Sequence, residues 1–163
     1  MRSVNDLKIR IFADGADFDS IIEIAKNPLV QGFTTNPSLI ARAGEKNYED
    51  FARKVIAAVP DRPCSFEIIA DDFDEMINQA RKISSWGSNV NVKVPVTNTK
   101  GVFAGEVIKA LSNEGIILNI TAVFTPKQVE MVADAIVPGA HAMVSVFAGR
   151  IADTGVDPLP IMR

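Results

Sequence analysis

Cysteine is nearly absent from this sequence. Cys64 stands alone among 163 residues, so no disulfide can form within the chain, and its place in a strand-like run reads as a reduced core thiol. Histidine is as scarce: His141 is the only one, in a turn after "PG", where a surface role is the plainest reading. No cluster of His, Cys, Asp and Glu has metal-ligand spacing, and no glycine-rich dinucleotide fingerprint occurs, so neither a metal nor another cofactor is expected. Excess positive charge is missing too. A net charge of -3 and a pI of about 5.2 weigh against nucleic acid or an anionic membrane surface as partner. No apolar run reaches the ~18 residues of a membrane span. The opening "MRSVNDLKIRIF" is too polar for a secretory leader. Low-complexity tracts and linker-like shifts are absent, which leaves one domain over 1–163, and the expected setting is cytoplasmic.

What the chain does have is 47% hydrophobic residues, enough for a sizeable core, arranged in a regular alternation. Short strand-like runs, "IRIFADG" (9–15), "VQGFTTNP" (30–37), "CSFEIIA" (64–70), "NVNVKVPV" (89–96), "ILNITAVF" (117–124) and "AMVSVFAG" (142–149), are separated by helical patterns over 17–26, 47–59, 71–86, 100–115 and from 125 onward. Thr125 and Pro126 read as N-cap and first helical residue, and Gly115 as a left-handed stop. The acidic run "ADDFDEM" reads as a helix start, where carboxylates suit the dipole. Six strand–helix units in a row predict an α/β fold with a parallel sheet and helical crossovers. Length favours an open doubly wound sheet over a closed (β/α)8 barrel, which typically needs at least ~200 residues.

The polar residues argue for the barrel. Asn91, Lys93 and Pro95 share a strand face opposite Val90, Val92, Val94 and Val96. Asn119 and Thr121 share one opposite Leu118, Ile120 and Ala122. Glu67 lies opposite Phe66 and Ile68, Asp14 opposite Ile11 and Ala13, and Ser145 with Phe147 opposite Val144 and Val146, while Thr34 and Asn36 share a face. A doubly wound sheet buries both faces in apolar packing. A TIM barrel puts one face under helices and gathers its site at the C-terminal mouth. The expected fold is therefore a (β/α)8 barrel with about six βα units in this chain. Some of these residues admit plainer readings: Asp14 before Gly15 and Asn36 before Pro37 fit turns or caps, and Thr121 an ordinary strand position. Glu67 and Lys93 resist them, because charged side chains are rarely buried without a partner.

A lysine inside a barrel mouth points to a particular chemistry. Burial disfavours the ammonium, and the neutral amine can attack a ketone to form a Schiff base. The protonated imine is an electron sink that lets the neighbouring C–C bond of a β-hydroxy ketone break. That cleavage needs a carboxylate for the hydroxyl proton, an ordered water, and amides and hydroxyls to hold the ketose. Asp14, Glu67, Asn36, Asn119, Thr121 and Ser145 supply these types, and Arg150 just beyond the sixth strand is suited to a phosphate.

With these motifs in place, the chain resembles the transaldolase family over essentially its whole length. "FADGAD" (12–17), "FTTNPSLI" (33–40), "VKVPVT" (92–97), "LNITAVF" (118–124) and "SVFAGRI" (145–151) carry the resemblance, the second of them being highly specific. It implies Lys93 as Schiff-base nucleophile, Asp14 as acid/base for C–C cleavage, and Glu67 with Thr121 around the catalytic water. It implies Asn36, Asn119 and Ser145, beside Thr34, on the dihydroxyacetone part, and Arg150 on the phosphate. The activity implied is transfer of a dihydroxyacetone unit between sugar phosphates, of the pentose phosphate pathway type, without a cofactor. The short branch that includes fructose-6-phosphate aldolases is similar, but its aldolase members carry glutamine at the position of Glu67 and tyrosine at that of Phe147. Both positions here read as transferase. Short members resemble decameric rings, so a homo-oligomer is implied.

The family barrel has eight strands, whereas this sequence stops at "GVDPLPIMR", where the helix after strand six is expected to start. The expectation is that the functional protein contains more chain, whose loops would complete the phosphate site. The competing readings are a hydrolytic aldolase and a non-catalytic sugar-phosphate-binding protein.

Overall fold

The computed structural model describes residues 8–162. Of the polar opening segment read above as unlike a leader (1–12), residues 1–7 lie outside the described residues. Six strands are joined in the order of the sequence, β1 (Ile11–Asp14), β2 (Val30–Thr34), β3 (Cys64–Glu67), β4 (Val90–Pro95), β5 (Leu118–Val123) and β6 (Ala142–Val146). The pairs β1–β2, β2–β3, β4–β5 and β5–β6 run parallel. Consecutive parallel strands with a helix after each are the order of a partial (β/α)8 barrel of about six units, as the polar faces required. The alternatives divide here: a doubly wound sheet reverses its strand order part-way, and this one does not.

The described residues fall into two compact units, one of residues up to 66 with 85–90, the other of residues 67–84 with those from 91 onward. The first holds β1, β2, most of β3, and helices α1 (Phe18–Ala25), α2 (Pro37–Arg42) and α3 (Tyr48–Ala58). Its core is Ile21, Phe33, Ile40, Phe51, Val55 and Phe66, all essentially inaccessible to solvent. Tyr48, Phe66 and Trp86 pack edge to face in a trio, with centroids 5.8 to 6.2 Å apart. Gly32 is required in β2 because a Cβ there would stand 2.2 Å from the Phe12 ring. Burial, and then the Asp61 carboxylate, push the Cys64 thiol up to about 12, so it is an inert core thiol.

The second unit holds the end of β3, most of β4, then β5 and β6, with α4 (Phe73–Ser84), α5 (Gly105–Asn113), α6 (Pro126–Ala135), α7 (Ala148–Asp153) and α8 (Leu159–Met162). α4 packs on α5, and α5 on α6 and β5. Val92, Val94, Leu118, Ile120 and Val123 on the strands meet Val107, Ile108, Leu111 and Val132 on the helices in a dry core. Thr125 caps α6 in a full capping box with Gln128, and Pro126 opens it, as the sequence predicts. Gly115 takes φ 75° to stop α5, also as predicted.

Three stretches differ from the sequence reading. The predicted strand end and loop at 37–42 form α2, because Asn36 caps it and Pro37 sits at its first position. The helix predicted over 100–115 begins only at Gly105: Thr97 bridges Phe103 across a tight turn in which Asn98 accepts from the Lys100 and Val102 N–H groups. The helix after strand six starts at Ala148, directly after the strand, rather than within "GVDPLPIMR". Among the described residues no helix is long and apolar enough to cross a membrane.

Candidate active site

Each unit gathers polar groups at the C-terminal ends of its own strands. In the first, Asp14 and Thr34 close β1 and β2 in register, and the Thr34 hydroxyl donates to Asp14 Oδ1 at 3.2 Å. Asp14 is exposed, its carboxylate open to a solvent proton or a hydroxyl. Asn36, two residues on, accepts from the Ser38 and Leu39 N–H groups through Oδ1. Its cap role is thus real, and it occupies the oxygen rather than the amide nitrogen.

In the second unit, strand register brings Lys93 beside Asn119, and Pro95 beside Thr121. Lys93, Asn119 and Thr121 are all buried. Lys93 Nζ meets Glu67 Oε2 at 3.1 Å, with the two side chains only 9% and 19% exposed. This pair resolves the anomaly of a lysine among valines: the glutamate one strand over compensates the charge that β4 buries. Asn119 accepts through Oδ1 from the Ser145 hydroxyl at 2.6 Å, which fixes the amide with its NH2 facing elsewhere. Four strands thus supply an amine with a proton acceptor in contact, an oriented amide, and two hydroxyls. An amine that can hand its proton to an adjacent carboxylate can become a nucleophile without waiting for solvent.

Phe147 lies just past β6, its ring edge-on to Phe124 at 5.5 Å between centroids. Arg150 sits on α7, just beyond β6, three-quarters exposed and 3.6 Å from Asp153. His141 is exposed in the turn before β6, as expected. No group of residues that could hold a metal ion occurs among the described residues.

Sequence reasoning missed a clamp between two loops of the second unit. Asp71 accepts from both the Thr99 N–H, at 2.6 Å, and the Thr99 hydroxyl, at 2.7 Å, tying the loop after β3 to the loop after β4. The acidic run reads from sequence wholly as a helix start, and Asp72 does cap α4 through the Asp74 and Glu75 N–H groups. The doubled aspartate is the signal: one carboxylate caps, and its neighbour is free to do something else. The Thr99 hydrogen bonds, first the backbone and then the side-chain one, hold the Asp71 carboxyl below its ordinary 3.8. A depressed carboxyl contributes stability above its unfolded value and loses it as pH falls through the folded one. The urea midpoint of Asp71→Ala is therefore expected to lie below that of the parent protein at pH 6, with the gap closing below about pH 3.8. A gap independent of pH would show that the ionised carboxylate is not what holds Thr99.

The family model for transaldolase/fructose-6-phosphate aldolase matches residues 11–160. The chain belongs to that family. Among curated relatives, a "Probable transaldolase" of Dehalococcoides mccartyi is 40% identical over 155 residues, covering 95% of this chain and 68% of the relative. One from Hyphomonas neptunium is 38% identical, and one from Syntrophobacter fumaroxidans 37% identical, each over 95% of this chain and 67% of the relative. The chain therefore spans about two thirds of the length of these transaldolase-family relatives, and the matched region contains every site residue named above.

Proposed function

We propose that this protein is a Schiff-base transaldolase that moves a dihydroxyacetone unit from a ketose phosphate to an aldose phosphate. The observation that carries the reading is the buried ion pair of Lys93 with Glu67, beside the oriented amide of Asn119. In this reading Glu67 takes a proton from Lys93, and the free amine adds to the ketose carbonyl carbon. Glu67 and Thr121 hold the water through which the carbinolamine loses its hydroxyl to give the imine. Asp14 takes the proton of the β-hydroxyl, the C–C bond breaks, and the electron pair moves into the imine as an enamine while the first aldose leaves. The enamine then attacks the aldehyde carbon of the acceptor, Asp14 returns its proton to the new alkoxide, and water releases the product ketose from Lys93. Asn36, Asn119 and Ser145, with Thr34 beside Asp14, are assigned to the hydroxyls of the transferred unit, and Arg150 to the phosphate.

Acidic net charge and a buried free thiol support a cytoplasmic setting with sugar phosphates, not nucleic acid, as partners. A homo-oligomer is inferred from family resemblance alone, and sedimentation tests it. The enzymatic test is a coupled assay with a ketose phosphate, with and without an aldose phosphate acceptor. Product is expected only with acceptor; steady release of free dihydroxyacetone without it would instead support the aldolase reading. Phe147→Tyr, alone or with Glu67→Gln, is expected to raise free dihydroxyacetone relative to transfer, because a phenol can order the water that hydrolyses the imine. An unchanged ratio would remove this ground for preferring transfer.

A further inference from the structure

We propose that Phe124 is a specificity-determining residue for the reaction inferred above: it holds the Phe147 ring so that the imine on Lys93 meets an acceptor sugar rather than water. The proposal rests on the Schiff-base reading, and its origin is an irregularity in β5. Ile120 pairs with Val144, but the next register pair is Val123 with Val146, so β5 carries one residue more than β6 over this interval. The extra residue lies where Ala122 adopts φ 59°, a left-handed conformation uncommon outside glycine. Strict alternation would put residue 124 on the face opposite Asn119 and Thr121. The bulge shifts the alternation, so that Val123 is in the dry core instead and Phe124 rests on Phe147.

Phe124 is held from the other side as well. Its N–H donates to Gln128 Oε1 at 2.8 Å, so the capping box of α6 fixes the backbone that the bulge has redirected. The ring nonetheless stays 40% exposed, which is poor use of a phenylalanine if packing were its only role. Edge-to-face contact at 5.5 Å restricts the Phe147 ring, and neither of the two rings that meet there carries a donor or acceptor that could order a water. The enamine has two fates. In transfer, its carbon bonds to the acceptor aldehyde carbon and the aldehyde oxygen takes a proton. In hydrolysis, its carbon takes a proton, water adds across C=N, and the carbinolamine expels the Lys93 amine and free dihydroxyacetone. A loosened Phe147 ring admits the water that the second route consumes.

The test measures transfer, free dihydroxyacetone release and borohydride trapping of a ketose phosphate on Lys93 in the parent protein, Phe124→Ala and Phe124→Leu. An aromatic pair worth about 0.5–1.5 kcal/mol converts to a rise of about two- to tenfold in release relative to transfer for Phe124→Ala. The rise should be smaller for Phe124→Leu, and trapping yield should hold. In a Phe147→Ala background, Phe124→Ala should add nothing, because the residue acts through that ring. Should Phe124→Ala fail to fold, Phe124→Leu carries the same comparison. An unchanged ratio with normal trapping, or an equal fall of transfer and release, would overturn the role of Phe124 and leave the Schiff-base reading standing. Absence of trapping in the parent protein would overturn both.

Discussion

Lys93→Met is expected to abolish turnover and also to lower the stability of the fold. Methionine matches the volume of the lysine stem, so packing alone would make the change mild. The ion pair alters that expectation. Removing Lys93 leaves the Glu67 carboxylate four-fifths buried beside an apolar methyl, with its 3.1 Å partner gone. Stripping one member from a buried pair costs ~3–5 kcal/mol, and the residual exposure of Glu67 places this case at about 3 kcal/mol or less. Adding Glu67→Gln should recover much of the lost stability and none of the activity, because the amide needs no counter-charge. Urea midpoints and a coupled transfer assay on the two variants separate the roles. More than a trace of turnover in Lys93→Met would eliminate lysine as the covalent group. A stability loss that Glu67→Gln cannot reverse would mean that the pair is not what compensates the buried charge.

The second large effect is at Asp14. Asp14→Ala should slow C–C cleavage by ~10²–10⁴-fold, the usual cost of losing a general base, while imine formation continues. The two steps use different carboxylates in this account, Glu67 for the amine and Asp14 for the β-hydroxyl, so they should separate in rate. Stability should change little: Asp14 is exposed, and its hydrogen bond from Thr34 can be replaced by water. Rapid-quench measurement of the released aldose against borohydride-trapped protein distinguishes the steps. Equal losses in both would assign Asp14 a role in shaping the ends of β1 and β2 instead.

Much of the scaffold could be read from the chain because its signals are local. Valines at alternate positions around Lys93 mark β4, and the N-cap and proline at Thr125–Pro126 mark the start of α6. The same pair of signals at Asn36–Pro37 does not by itself mark a helix, since only six residues follow before the turn and too few apolar positions repeat. The start of α5 is hidden for the opposite reason: Ala104 provides no side-chain cap, so nothing local separates the turn at 98–103 from the helix. For the site, residue type and parity were enough to single out Lys93 and Glu67. Their meeting at 3.1 Å depends on register between β3 and β4, which neither strand encodes alone. The bulge at Ala122 had no signature, since alanine carries no preference for positive φ, and its consequence for Phe124 follows only from the pairing with β6.

The central claim is that Lys93 forms an imine with a ketose. Incubation with a ketose phosphate followed by borohydride, with the adduct located by peptide mass spectrometry, tests it most directly. The account predicts a reduced dihydroxyacetone or ketose adduct on the peptide containing Lys93, and no adduct in Lys93→Met. Stable modification of a different lysine, or normal turnover with none trapped at Lys93, would contradict it.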